Sequence, residues 1–215
     1  MTVRKILSCS AVLLAASGIS SGCSSEESGT PSAQVPATSE VSSSTDPPLG
    51  GYPIPESLDL SPFSSMPCDL VPQEILGELG YDSEGTAKLE ESDTVAAWTG
   101  PACFWQAREG EEGLLTVTIL SGNAERGFGG LAGLRSLYEQ GEFAYWEDAT
   151  VLDYPAAYVS QWDRRADGEC GISVGVSEEM AFSVVASFYK ENPDRACSVV
   201  SEVAEDVVGN LRGEA

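Results

Sequence analysis

Hydrophobic and polar positions repeat along residues 61–215 with two different periods. Leu115, Val117 and Ile119 alternate with Thr116 and Thr118, the period of two expected of a half-buried strand. That strand is the second arm of a hairpin over residues 103–120, with EGEEG as its turn. Ile172, Val174 and Val176 alternate in the same way with Ser173 and Gly175. They sit in a meander, in which AAYVSQWDRR turns through ADG into CGISVGV and then through SEE into MAFSVVASFY. Three segments carry the helical period instead. In residues 72–80, Ile75, Leu76 and Leu79 share a face, Pro72 suits the first turn and Gly80 the exit. In residues 129–141, Leu131, Leu134, Leu137 and Tyr138 point inward. In residues 194–211, Ala196, Val199, Val200, Val203, Val207 and Leu211 form a stripe, and Asp194 is placed to cap the helix. The order α-β-β-α-β-β-β-α, with a further strand near 86–98, predicts an α+β fold. Its antiparallel sheet should have helices packed on one face.

The start of the chain follows neither period. Arg4 and Lys5 precede an apolar or small-residue run from Ile6 to Ile19. At ~14 residues it matches the apolar region of a signal peptide and falls short of the ~20 that a spanning helix needs. Ser20-Ser21-Gly22-Cys23 then resembles a bacterial lipobox, in which cleavage before the cysteine leaves it alkylated by diacylglycerol. Residues 1–22 are expected to be a lipoprotein signal peptide and Cys23 the lipidation site. The alternative is an ordinary cleaved signal peptide with an incidental cysteine. One acyl chain anchors a protein only marginally, while two or more hold it stably.

Residues 23–60 hold the cysteine and a Ser/Thr/Pro-rich stretch with few large apolar side chains. Such a stretch cannot bury enough surface to fold and is expected to be a disordered linker. A flexible coil of this length spans roughly 30–35 Å. Residues 61–215 then form a single domain, long enough for one core. The 215-residue chain has 11 basic and 34 acidic side chains. Removing residues 1–22 takes away Arg4 and Lys5 and no acid, which leaves a net charge of −25. This balance argues against nucleic acid and against electrostatic adhesion to anionic head groups.

Cys68, Cys103, Cys170 and Cys197 remain in the domain. An even number in an exported domain reads as two disulfides, with three connectivities open. Zinc is disfavoured, because no pair has C-x2-C spacing and the chain has no histidine. The preferred pairing is Cys68–Cys103 and Cys170–Cys197, each joining a helix start to a strand.

Several short motifs then fall into an order. Cys68-Asp69-Leu70 precedes a short helix. Cys103-Phe104-Trp105, Asp153-Tyr154-Pro155-Ala156-Ala157 and Cys170-Gly171-Ile172-Ser173-Val174 follow, and Cys197 opens the terminal helix. With the lipobox, this set resembles an actinobacterial lipoprotein family, domain-of-unknown-function family 3558. The resemblance implies a surface lipoprotein and supplies no catalytic residues.

Motifs that suggest chemistry are outweighed by their setting. GISVG at 171–175 matches the G-x-S-x-G nucleophile elbow, yet Ser173 alternates with buried residues inside a strand, and no histidine exists to act as base. GFGGLA at 127–132 fits the dinucleotide fingerprint, but SGNAER separates it from the preceding strand. Glu109, Glu111 and Glu112, and Glu90, Glu91 and Asp93, lack the ordering of a calcium loop and read as solvated turns. Trp98, Trp105, Trp146, Trp162, Tyr145 and Tyr158 are candidates to line a ligand groove, but most aromatics on strands are core or half-buried; Trp146 and Trp162, beside charged neighbours, are the two of this set to which a binding role is allowed. No catalytic residue, metal or cofactor is expected. The expected protein is a monomeric, lipid-anchored module on the extracytoplasmic face of the cell membrane. It binds an envelope protein or carries a hydrophobic ligand in a cavity between sheet and helices. A hydrolase is the remaining alternative.

Overall fold

A computed structural model describes residues 51–214. Its helices are α1 (Gln73–Leu79), α2 (Ala96–Thr99), α3 (Ser121–Glu125), α4 (Gly130–Glu139) and α5 (Asp194–Arg212). The strands are β1 (Thr86–Lys88), β2 (Ala102–Gln106), β3 (Leu114–Ile119), β4 (Tyr145–Val151), β5 (Tyr154–Ser160), β6 (Cys170–Gly175) and β7 (Ala181–Ser187). All seven join one antiparallel sheet in the order β1-β2-β3-β7-β6-β5-β4. The expected α+β class, hairpin and meander are all present. The crossover from β3 to the far edge strand β4 carries α3 and α4.

The alternation seen in the sequence sorts the sheet into two unlike faces. Ala156, Val174 and Phe182 stand in one cross-strand row, and Ala157, Ser173 and Ser183 stand in the next, pointing the opposite way. The first face is dry. Leu115, Val117, Ile172, Val174, Phe182 and Val184 are buried there beneath the stripe of α5. Val199, Val200, Val203 and Val207 of that stripe are each 1% exposed or less. Alpha-1 completes the layer with Ile75, Leu76 and Leu79, and it ends at Gly80, whose φ of +87° gives the left-handed exit. The second face is lined by small residues, and α4 lies on part of it. A Cβ on Gly175 would sit 3.0 Å from the Leu131 Cβ, so the glycine lets the helix approach closely.

Five expectations change in detail. The stretch near 86–98 divides into the short strand β1 and the single-turn helix α2. A further strand, β4, forms the sheet edge, and a short helix, α3, occupies residues for which the pattern predicts no element. Asp194 is the first helical residue of α5 rather than a side-chain cap. Pro193 takes the cap position, and Asp194 instead offers its charge to the first turn. The domain also begins before residue 61: Leu58 and Leu60 are 9% and 2% exposed, and the Leu58 N–H donates to the Val176 carbonyl at 3.0 Å. Residues 51–60, placed in the linker by composition, are thus held by a few well-spaced apolar anchors.

Candidate functional site: a groove on the second sheet face

Both disulfides lie on the first face. Cys68–Cys103 and Cys170–Cys197 form with Cα–Cα distances of 5.0 Å; Cys68 sits in a 3-10 turn, Pro67–Leu70, just before α1, Cys197 in the first turn of α5, and each is tied to a strand. Cys170 and Cys103 are buried, and neither bridge takes part in the groove described next. Cys23 lies outside the described residues, as do residues 1–22.

The second face holds a groove of about 610 Å³. Its floor is Gly171 and Ser173 of β6 with Ser183 and Val185 of β7. These are the small or short positions that alternate with the large core residues of the same strands. A floor of this kind leaves room wherever no helix covers it. One wall is α4, through Leu134 and Leu137. The end near Leu120, where α3 leaves the sheet, is closed by Phe128, Asn123, Arg126 and Trp98. At the opposite end, beside the start of β6, stand Phe143, Val159 and Trp162, together with Glu142 and Glu169.

Each end carries an exposed tryptophan under an arginine. Trp98 is 62% exposed, with the Arg126 guanidinium 4.1 Å from its ring centre, and Trp162 is 60% exposed, with Arg164 at 5.2 Å. Arg126 is further held by two neutral acceptors. Its Nη1 donates to the Trp98 carbonyl, and its Nη2 donates to Asn123 Oδ1 at 2.6 Å.

The other candidate aromatics divide by burial. Trp105 is a core residue at 1% exposure. Tyr158 faces α5 and shares a hydrogen bond with the Ser201 hydroxyl at 2.6 Å. Trp146 packs against Tyr138 and Tyr52, with ring centres 5.8 and 6.5 Å away, and its Nε1 donates to Asp148 at 2.8 Å. Tyr52 also donates to Asp148, and burial with that carboxylate pushes its phenol up to about 12. Tyr145 stacks under Arg165, 3.5 Å from its ring centre, and its phenol is likewise pushed up to about 12 by burial and by Glu147. Of the two tryptophans allowed a binding role, Trp162 reaches the groove and Trp146 braces α4 from outside it.

The motif residues have structural places. Ser173 lies inside β6, 3% exposed, and no strand-to-helix elbow exists at it. Residues 127–132 run from the end of α3 into the first turn of α4, where the Gly130 N–H donates to the Glu179 carbonyl at 2.8 Å. Asp93 caps α2 by accepting from the N–H groups of Ala96 at 3.1 Å and Val95 at 2.9 Å. These bonds, that from Ala96 foremost, hold its carboxyl below the usual range. Glu90 accepts from the Ser121 hydroxyl at 2.9 Å, and Glu112 from the Glu191 N–H at 3.1 Å. Among the described residues, no group of three or more His, Cys, Asp or Glu is arranged to hold a metal. No helix among them is long and apolar enough to cross a membrane.

Sequence reading overlooked Arg126, Phe128 and Phe143. Arg126 had no signal of its own, because its stacking on Trp98 depends on α2 and α3 meeting in space.

Fold and groove together define a disulfide-braced, single-sheet α+β domain with an apolar groove on the face opposite its main helix. The chain belongs to the family described as "Protein of unknown function (DUF3558)", whose model matches residues 19–210. No curated protein and no solved structure matches the chain.

Proposed function

We propose that this is a non-enzymatic, extracytoplasmic lipoprotein of an actinobacterial envelope, anchored through Cys23, whose domain holds an apolar ligand in the second-face groove. The observation that carries the reading is the groove itself. Its volume of about 610 Å³ lies within the ~300–1,000 Å³ of small-molecule sites, and Leu, Phe, Val and Trp side chains make up much of its lining, with polar groups among them. Between the two expected roles, carrying a ligand is favoured over docking a protein, because the apolar surface lines a concave site between sheet and helix. The lipobox-like Ser20–Cys23 and the preceding apolar run support the anchor. The sequence offers Ser173 no histidine base, which supports a role without chemistry.

Two measurements test this. The protein purified from its native envelope should release a stoichiometric apolar compound on organic extraction, and a Val185→Trp variant, which fills the floor, should not. An empty extract from both would reject the carrier role. Cys23→Ser should move the protein from the membrane fraction to the soluble one, and an unchanged distribution would reject the anchor.

A further inference from the structure

The arginines around the second face differ in one respect. Arg164 has Glu169 at 4.0 Å, Arg165 has Asp163 at 2.8 Å and Glu147 at 3.6 Å, and Arg135 has Glu139 at 3.2 Å and Asp148 at 3.9 Å. Arg126 has no carboxylate oxygen within 4 Å among the described residues, although the chain carries 34 acidic side chains. Its two hydrogen bonds go to a carbonyl and an amide oxygen, neither of which cancels its charge. A guanidinium has five N–H donors, so three remain free. Stacking on Trp98 and the two bonds fix the plane of the group, so it is organised before any ligand arrives. At the other end of the groove, Glu169 is matched by Arg164 and Glu142 is exposed. Among the described residues the groove therefore has an uncompensated cation at one end only, and a floor of Gly171, Ser173, Ser183 and Val185 walled by Leu134 and Leu137 leads away from it.

We infer that the groove takes a long-chain carboxylic acid, its carboxylate on Arg126 and its alkyl chain along the floor toward Phe143 and Trp162. The inference rests on the proposed carrier role and names the ligand's chemical class. A single planar carboxylate matches a guanidinium fork in two parallel hydrogen bonds. One charge against one charge also suits a domain as acidic as this, whereas a doubly charged phosphate would leave an excess. A methylene fills about as much space as a water molecule, ~30 Å³, so one chain of sixteen carbons fits the volume.

The test is equilibrium dialysis of the full chain against labelled palmitic acid and hexadecanol, which share a chain length and differ in the head group. At pH 8 palmitate should bind at least tenfold more tightly than the alcohol, because a charge-assisted pair is made and lost with the carboxylate. Arg126→Gln should remove that preference by weakening palmitate alone, and Arg126→Lys, which keeps the charge but not the fork, should retain part of it. Val185→Trp should weaken both probes, with unchanged circular dichroism in all variants showing that the fold is intact. Equal binding of the two probes, or a preference that survives Arg126→Gln, would overturn this inference and leave the carrier role standing. Binding of neither probe would overturn both.

Discussion

Cys170–Cys197 fastens the start of β6 to the first turn of α5, and removing it gives the sharpest test of how the domain is held. In the chain-entropy account a disulfide restricts the unfolded chain by an amount that grows with the logarithm of the closed loop. The sequence separations are 27 for Cys170–Cys197 and 35 for Cys68–Cys103. Those loops correspond to about 3.6 and 3.8 kcal/mol, a difference too small to resolve. The loops do not overlap in sequence, so the two losses should add. Together they approach ~7 kcal/mol, against a total of ~5–15 kcal/mol for a typical domain. The double substitution Cys170→Ala/Cys197→Ala should therefore leave a folded protein. The valine stripe of α5 stays buried, and Cys68–Cys103 is still made. Urea unfolding followed by tryptophan emission should show a loss of about 3–4 kcal/mol, which at a slope of ~2 kcal/mol/M moves the midpoint down by ~1.5–2 M. Removing all four cysteines should bring the domain close to unfolding at 37 °C. Peptide mapping without reduction should recover 68–103 and 170–197 fragments from the native chain. A loss below ~1 kcal/mol for the single bridge would refute the reasoning, since it would mean the unfolded chain already keeps these ends together.

Tyr154 and Tyr81 should respond in opposite ways to loss of a hydroxyl. The Tyr154 hydroxyl is buried without a partner among the described residues, so Tyr154→Phe should leave stability unchanged or raise it by up to ~1 kcal/mol in the same urea assay. Tyr81 shares a buried hydrogen bond with Tyr189, so Tyr81→Phe removes that bond and should cost ~1 kcal/mol. Asp206 on α5 has its carboxyl pushed up by burial, and then by Glu78, Glu205 and Glu202. The folded state thus binds its proton more tightly than the unfolded one, so stability falls as pH rises from the unfolded value toward the raised one. Asp206→Asn should stabilise the protein at pH 7, by less than ~1 kcal/mol given its exposure, and should make no difference at pH 3.

Legibility in the sequence followed the strength of burial contrast. Beta-3, β6 and β7 were readable because one face is dry, and α5 because its stripe is almost wholly valine and alanine. Beta-4 had no such contrast. It is an edge strand whose residues Trp146, Glu147, Asp148 and Thr150 are partly or fully exposed on both faces. Its hairpin turn also lacks the usual signal. Leu152 and Asp153 take φ values of +45° and +72°, where Asn-Gly would have announced the turn. The disulfide pairing was legible because each pair lies within one half of the chain, so a helix start and its neighbouring strand could be matched locally. The groove was half legible. Trp98 and Trp162 stood out as candidates by type, but the partners that close the site come from α3, from α4 and from the stretch leading into β4. Only the long crossover brings those segments over β6 and β7, and nothing in their periodicity encodes it.

The second face explains why a groove exists there at all. A sheet face meant only for water would carry long polar side chains, and one meant for a full helical layer would carry large apolar ones. This face does neither: Gly171, Ser173, Gly175, Ala157 and Ser183 are too small to fill the space above them. Alpha-4 uses part of that shallow floor by seating Leu131 on Gly175, and it stops short of Val185 and Gly171. Beyond it, the Trp98 end is set by backbone contact. Any side chain at Gly122 would collide with the Trp98 carbonyl, so α2 and α3 meet without side chains between them. Arg126, one residue past α3, is then carried to the Trp98 ring by that contact. Neither disulfide reaches this part of the molecule. The covalent frame stiffens the dry face, and the groove is shaped by glycine approaches and by one stacked arginine. Substitutions at Gly122 should therefore displace Trp98 from Arg126 and open that end of the groove long before they threaten the core.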